Sequence, residues 1–374
     1  MRILVVLEYY PPHTGGVERL FEAIATGLVE RGHDVRVITT RIGDAPKRER
    51  RGGVTIERVR VPLESRTLFS LFAIPAVLRA ARWADVIHTS TYTAIVPASI
   101  AGVLSRRPVL ITGHERIGRR WFHLPRVNAA SALFYYLTEH ILYRFPSARI
   151  AAVSEATRRD IRAGGIPQRK LTRVYNAIDT EPWKPRARNR ALVERYGLKD
   201  RTVFVVYGRP GVSKGIEYAV RAFPIIKARI PNAVLMLLIP KRPADGYRAI
   251  QRELDRIGRD GIIELNELGF SELVEHVNLA DAVIVPSLTE GFGFTTYESC
   301  LLSKRVVASN IGSIPEVVFG RSVLVEAGNP ESIARGCEQV LREPTRSEPK
   351  RFTRDAMIEG YLAEYERIAK RASR

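Results

Sequence analysis

Cysteine is nearly absent: the 374 residues include two, Cys300 and Cys337. Two thiols cannot staple a chain of this length, so no disulfide framework is expected, and a reducing, intracellular setting is the simpler reading. Long apolar runs are missing as well. The first of any note, Ile3–Leu7, stops at Glu8 with no small-residue cleavage site behind it, and reads as a buried strand rather than a signal-peptide core. Nothing approaches the roughly 18–20 apolar residues that a spanning helix needs. No zinc-type spacing and no nucleic-acid module stand out, which sets nucleic acid aside as a partner. Acidic residues are the minority, 40 against 59 Lys and Arg, for a net charge of +19. The imbalance is concentrated in residues 1–180, with 28 cations and 15 acids. A basic surface of this kind suits an anionic membrane or anionic substrates.

What is present is a globular composition, 45% hydrophobic and 26% charged, in a chain long enough for two domains. Strand and helix patterns alternate along the first half. Strands are predicted at Ile3–Leu7, Val35–Thr39, Val54–Val59, Val86–His88, Val109–Thr112 and Arg149–Val153, with a helix from about Val17 to Arg31 ended at Gly32. Near-continuous apolar strands alternating with helices predict parallel sheets covered on both faces. The pattern breaks between Asn176 and Leu198, where Pro182, Pro185 and the Arg/Lys run 184–190 mark a linker. It then restarts, with strands at Val203–Tyr207, Ala233–Leu238, Gly261–Glu264, Ala282–Val285 and Val306–Ala308, and helices at Ile216–Arg229 and Tyr247–Ile257. The expected domains are 1–182 and 183–352, with a charged helix over 353–374 packing back on the first.

In open α/β sheets, ligands sit beyond the carboxyl ends of the strands, and three such loops carry chemistry. The first, Pro11–Glu18, places Gly15 and Gly16 at a helix start, where bare backbone N–H groups approach an anion. It lacks the G-x-G-x-x-G pattern, so a nicotinamide cofactor is not expected. The second, Tyr207–Gly215, sets Arg209 and Lys214 about a Gly-rich turn that enters a helix, a combination suited to a diphosphate. The third, Pro286–Glu298, has a carboxylate in a loop, Glu290, and another on a helix, Glu298, with Phe292, Gly293 and Phe294 between them. One carboxylate can accept both hydrogen bonds of a ribose diol and the other can hold sugar hydroxyls, while the Gly-rich backbone offers donors to phosphate. A competing role for Glu298 is structural, because Thr295-x-x-Glu298 also fits a capping box.

The segment Glu290-Gly-Phe-Gly-Phe-Thr-Thr-Tyr-Glu298 resembles the signature of the family 4 glycosyltransferases. Gly15-Gly16-Val17-Glu18, Val153-Ser154-Glu155, Asn176-Ala177-Ile178-Asp179, Gly208-Arg209 with Lys214-Gly215, and Ala308–Val318 resemble that family in the same order, so the likeness covers nearly the whole chain. It implies a GT-B fold, two Rossmann-like domains with parallel sheets facing a central cleft, and a retaining transfer from a nucleotide-sugar donor. It implies no cofactor and no catalytic metal, in line with the absence of any Asp-x-Asp triplet. By the same likeness Arg209 and Lys214 neutralise the leaving diphosphate, Glu298 binds the ribose, and Glu290 faces the transferred sugar. The backbone of Phe292, Gly293, Phe294, Gly15 and Gly16 approaches phosphate and sugar, and His114 falls where an active-site histidine is often found. The chain departs from the family at Ile239-Pro240-Lys241, where a Gly-rich turn is usual, and at Phe294-Thr295-Thr296. A nucleotide-sugar epimerase on the same fold, working on the donor alone, is the nearest alternative.

Two basic stretches of the first domain carry aromatic and aliphatic residues: Arg66–Trp83, and Arg116–Arg144 with Arg119, Arg120, Trp121 and Phe122. Each fits either an interfacial helix on an anionic bilayer or a helix packed on the core with a basic outer face. The first alternative predicts a peripheral enzyme on the cytoplasmic face of the cell membrane, acting on a lipid or glycolipid acceptor. GDP-mannose is the preferred donor, with UDP-sugars next.

Overall fold

The computed structural model describes residues 1–13, 15–266 and 268–372. Fifteen strands are found among them. They are β1 (Arg2–Val6), β2 (Asp34–Thr40), β3 (Arg48–Arg51), β4 (Val54–Val59), β5 (Val86–Ser90), β6 (Val109–Gly113), β7 (Arg149–Ala152) and β8 (Leu171–Arg173), then β9 (Thr202–Tyr207), β10 (Ala233–Leu238), β11 (Ile262–Leu265), β12 (Ala282–Val285), β13 (Arg305–Ser309), β14 (Gly320–Val325) and β15 (Thr345–Ser347). The chain divides into two compact units. One comprises Met1–His123, Val127–Ile178 and the segment from Phe352 onward; the other comprises Asp179–Arg351, with which Leu124–Arg126 groups.

The first unit is built on an eight-stranded sheet in the order β3-β4-β2-β1-β5-β6-β7-β8, parallel throughout except for the antiparallel edge pair β3–β4. Its central strands are buried on both faces, which is why they read as unbroken apolar runs. The helix Gly16–Glu30 covers one face through Leu20, Phe21, Ile24 and Leu28. The helix Arg354–Ala372 packs on the same cluster through Met357, Ile358, Tyr361 and Tyr365. Two of those tyrosines meet a buried polar pair in the sheet. His88 of β5 shares hydrogen bonds with the Tyr365 hydroxyl at Nδ1 and with Thr112 Oγ1 of β6 at Nε2, both at 2.7 Å. Thr112 Oγ1 in turn lies 3.0 Å from the Tyr361 hydroxyl.

The second unit repeats the plan with seven strands, β11-β10-β9-β12-β13-β14-β15, parallel apart from β15. The helix Ile216–Arg229 closes its core through Ile216, Val220, Phe223 and Ile226. In both sheets the first strand of the unit lies between the strand that follows it and one from the far side: β1 between β2 and β5, β9 between β10 and β12. Chain connections leave in opposite directions from such a point, opening a crevice at the carboxyl ends of the strands. Cys300 and Cys337 are both buried and unbridged. Among the described residues no helix is long and apolar enough to cross a membrane.

The stretch Arg66–Trp83 is not one interfacial helix. It breaks at Ala73 into helices Arg66–Phe72 and Ile74–Ala81, and Phe69, Ala73, Val77 and Ala81 face the core. Trp83 lies beneath the Arg36 guanidinium, 3.9 Å from its carbon to the ring centroid. Only Leu71 and Phe72 of this stretch are large apolar side chains exposed to solvent. The apolar residues here belong to the core packing that sequence periodicity alone could not separate from a membrane face.

Candidate active site

The sheet order of the second unit places the loops after β9 and β12 side by side. Backbone hydrogen bonds join them, from Leu288 N to Ser213 O at 2.7 Å and from Thr289 N to the same oxygen at 3.3 Å. So close an approach requires glycine at 215. A Cβ there would collide with the Pro286 carbonyl oxygen, and the residue holds a left-handed φ of 57°. Across this seam Lys214 Nζ meets Glu290 Oε2 at 2.6 Å. The Glu290 side chain is 12% exposed and that of Lys214 33%, so the pair is partly desolvated. The Glu290 carbonyl is pinned from behind by Ser313, whose backbone N–H and hydroxyl both donate to it at 3.2 Å.

The chain then turns through Gly293, left-handed at φ 92°, into the helix Phe294–Leu301. Phe292 is buried against Phe294 and Tyr297, which leaves its backbone to line the turn. The competing capping box, Thr295-x-x-Glu298, does not form. The helix starts two residues earlier, capped by Gly293 with no side-chain bond, and Thr295 lies inside it. Glu298 instead lies against the neighbouring strand: the Tyr207 hydroxyl is 3.2 Å from its Oε2 and 3.0 Å from the Thr295 carbonyl oxygen, which share its one proton. Burial beside Glu298 raises the Tyr207 hydroxyl well above its ordinary pKa, so it stays a donor. Arg209, in the same loop as Lys214, is exposed. The second unit therefore brings Arg209, Lys214, Glu290, Phe292, Gly293, Phe294 and Glu298 to one end of the sheet. Two cations and a helix N-terminus supply positive potential there, and two carboxylates supply hydrogen-bond acceptors.

The remaining predicted residues belong to the first unit. Gly15 and Gly16 open the helix Gly16–Glu30, but that N-terminus already faces Glu18, a buried carboxylate 3.0 Å from His13 Nδ1. His114 directly follows β6. Burial pushes its pKa down to about 4, so it is neutral at pH 7, and its Nε2 has no hydrogen-bond partner among the described residues. Trp121 is half-buried, its ring 4.7 Å from that of Tyr135, and Arg120 is committed to Asp160 through two 3.0 Å hydrogen bonds. Arg119 and Phe122 are exposed. Among the described residues no cluster of His, Cys, Asp or Glu is arranged to hold a metal ion.

Two residues escaped the sequence reading. Tyr207 carries no motif; its role depends on β9 and β12 being neighbours. Glu8, the residue that ends the first apolar run, is buried at the carboxyl end of β1. It accepts from Ala94 N at 2.7 Å and Thr93 Oγ1 at 3.0 Å, which ties β1 to the loop after β5. A charge directly after a buried strand was the available signal.

Two Rossmann-like units, each with loops gathered at the switch point of a parallel sheet, are the architecture of the GT-B glycosyltransferases. Two family models agree, Glycosyltransferase Family 4 over residues 14–182 and Glycosyl transferases group 1 over residues 201–343, and the chain belongs to the family 4 glycosyltransferases. An uncharacterized glycosyltransferase of Methanocaldococcus jannaschii is 28% identical over 364 residues, which span 92% of this chain and 90% of that protein. A GDP-mannose-dependent alpha-(1-6)-phosphatidylinositol monomannoside mannosyltransferase of Mycolicibacterium smegmatis is 25% identical over 367 residues, with the same coverage, 92% and 90%. Among solved structures, Anabaena HepE in complex with UDP-glucose superposes with a TM-score of 0.72 at 18% identity, covering 100% of this chain and 98% of that one.

Proposed function

We propose that the chain is a retaining, metal-independent hexosyltransferase that moves mannose from GDP-mannose to a hydroxyl of a lipid-linked or glycolipid acceptor at a membrane surface. The observation that carries the donor site is the Lys214–Glu290 pair across the joined loops, beside Arg209 and the N-terminus of the helix Phe294–Leu301. Breaking a sugar–phosphate bond puts negative charge on the diphosphate and positive character on the anomeric carbon. In this reading Lys214, Arg209 and the helix N–H groups stabilise the first, and Glu290 faces the sugar. Glu298, oriented by Tyr207, binds the ribose. The leaving diphosphate helps deprotonate the acceptor hydroxyl on the same face, so that configuration is retained. GDP-mannose is preferred because the mycobacterial relative uses it, and UDP-sugars come second.

The acceptor reading rests on the helix Ala129–Leu142. It buries only Ala132 and turns Leu133, Phe134, Leu137 and Ile141 outward at helical spacing, with Phe134 65% and Ile141 57% exposed. Exposed Phe122, Arg119 and Arg144 flank it in sequence. An apolar stripe with basic neighbours suits the headgroup region of an anionic bilayer, on the cytoplasmic side and without insertion of a spanning helix. The test is a thermal-shift screen with GDP, UDP and ADP in EDTA, followed by product analysis with donor alone and with donor plus anionic glycolipid vesicles. Stabilisation by GDP and sugar transfer only with vesicles are expected. Conversion of the donor sugar without acceptor would point to an epimerase, and no response to any nucleotide would end the donor assignment.

A further inference from the structure

Two buried hydroxyls at the Glu290 loop lack partners. Thr296 is wholly buried and Thr289 is 2% exposed, and neither Oγ1 has a hydrogen-bond partner among the described residues. Buried hydroxyls are ordinarily satisfied, because leaving one unpaired forfeits the hydrogen bond it made with water. Thr289 directly precedes Glu290. Thr296 is placed by Gly293: a Cβ built on that glycine would stand 3.6 Å from Thr296 Oγ1, 3.4 Å from Glu290 Cγ and 3.2 Å from Val317 Cγ2. The glycine thus leaves a small space that the Thr296 hydroxyl and the Glu290 side chain both border.

Valine would fill the volume of either threonine without an unsatisfied oxygen, so core packing does not explain the hydroxyls. Around them, Glu290 can only accept hydrogen bonds and Lys214 can only donate. A sugar hydroxyl does both. One that donates to Glu290 keeps lone pairs to accept from a threonine. We infer that Thr296 is a specificity-determining residue whose hydroxyl is satisfied by a hydroxyl of the transferred sugar, an assignment that rests on the donor-site reading above. The site then selects a fully hydroxylated hexosyl group over a deoxy one, and the selection acts on the sugar rather than on the nucleotide.

Calorimetric titration of wild type, Thr296→Val and Thr296→Ser with GDP and GDP-mannose, and with UDP and UDP-glucose, separates the two halves of the donor. Thr296→Val is expected to weaken the sugar nucleotide about tenfold while leaving the nucleoside diphosphate within twofold. Its thermal midpoint without ligand should equal or exceed that of wild type, since the unpaired hydroxyl is gone. Thr296→Ser keeps the hydroxyl and should bind both ligands as wild type does. Equal weakening of diphosphate and sugar nucleotide, no weakening of either, or the same tenfold loss in Thr296→Ser would overturn the inference while leaving the donor site standing. Failure of wild type to bind any of the four ligands would remove the donor site itself, and this assignment with it.

Discussion

Lowering the pH from 7 to 5 is expected to cost the first unit about 4 kcal/mol of stability through His88 and His114. Burial depresses both pKa values, from the ordinary 6.5 to about 3 for His88 and about 4 for His114. In the native state both rings therefore stay neutral down to pH 5, while the unfolded chain takes up a proton on each near pH 6.5. The sign follows: the stability they contribute is fully present above 6.5 and is lost as pH falls through 6.5 toward the native values. Over the interval to pH 5 each histidine loses roughly 1.5 pH units of linkage, or about 2 kcal/mol. Glu8 and Glu139 act in the opposite sense, because burial raises their carboxyl pKa values. The informative quantity is thus the difference between wild type and His114→Gln, in which those carboxylates cancel. Urea unfolding at pH 7 and pH 5, read by hydrogen exchange of the β5 and β6 amides, should show the variant losing about 2 kcal/mol less than wild type. An identical loss in both would mean that His114 is not held neutral by burial.

Arg209→Ala and Lys214→Ala are each expected to slow turnover by at least ~10²-fold. Arg209 is exposed and its loss should barely move the thermal midpoint, whereas Lys214→Ala strands a largely buried Glu290 and should cost about 1–3 kcal/mol; near-normal turnover in both would return the loop to a plain turn. Glu298→Ala should lose nucleoside diphosphate affinity in calorimetric titration with little change in stability, and Tyr207→Phe should show a smaller loss of the same kind. Replacing Phe134 and Ile141 by Ser should reduce flotation with anionic liposomes, above all the fraction that resists salt, and leave nucleotide binding intact. Wild type that fails to float at low ionic strength would exclude the membrane reading.

Much of the fold is written in hydrophobic periodicity. Ala233–Leu238 and Ala282–Val285 are strands over the predicted residues because each is apolar and buried on both faces of a parallel sheet. Val54–Val59 is one as well, with buried Val54, Ile56 and Arg58 alternating with more exposed residues, and Ile216–Arg229 is a helix to the residue. Edge strands obey no such rule. β3 is Arg-Glu-Arg-Arg and almost wholly exposed; it forms through pairing with β4, and the Arg58–Glu49 ion pair holds it from the side. The loops of the site were visible as Gly-rich segments with unpaired-looking charges. Their joining was not, since the bond from Leu288 to Ser213 and the reach of Tyr207 to Glu298 depend on β12 lying next to β9, and strand order is a property of tertiary assembly. The break at Ala73 escaped for a related reason: a core-facing helix pair and a membrane-lying helix share one amphipathic pattern.

The helix Arg354–Ala372 has a consequence for how the polypeptide is made. It supplies Tyr361 and Tyr365 to His88 and Thr112, and Met357 and Ile358 to the cluster under β1, although the whole second unit separates it from them in sequence. On the ribosome, the first unit must wait with an apolar face and His88 uncovered until the second unit has been synthesised and this helix emerges. The second unit closes on its own residues and has no such delay. Folding order should therefore invert the order of synthesis: chains ending at residue 351 and released from the ribosome should resist protease over the second unit and remain cleavable in the first.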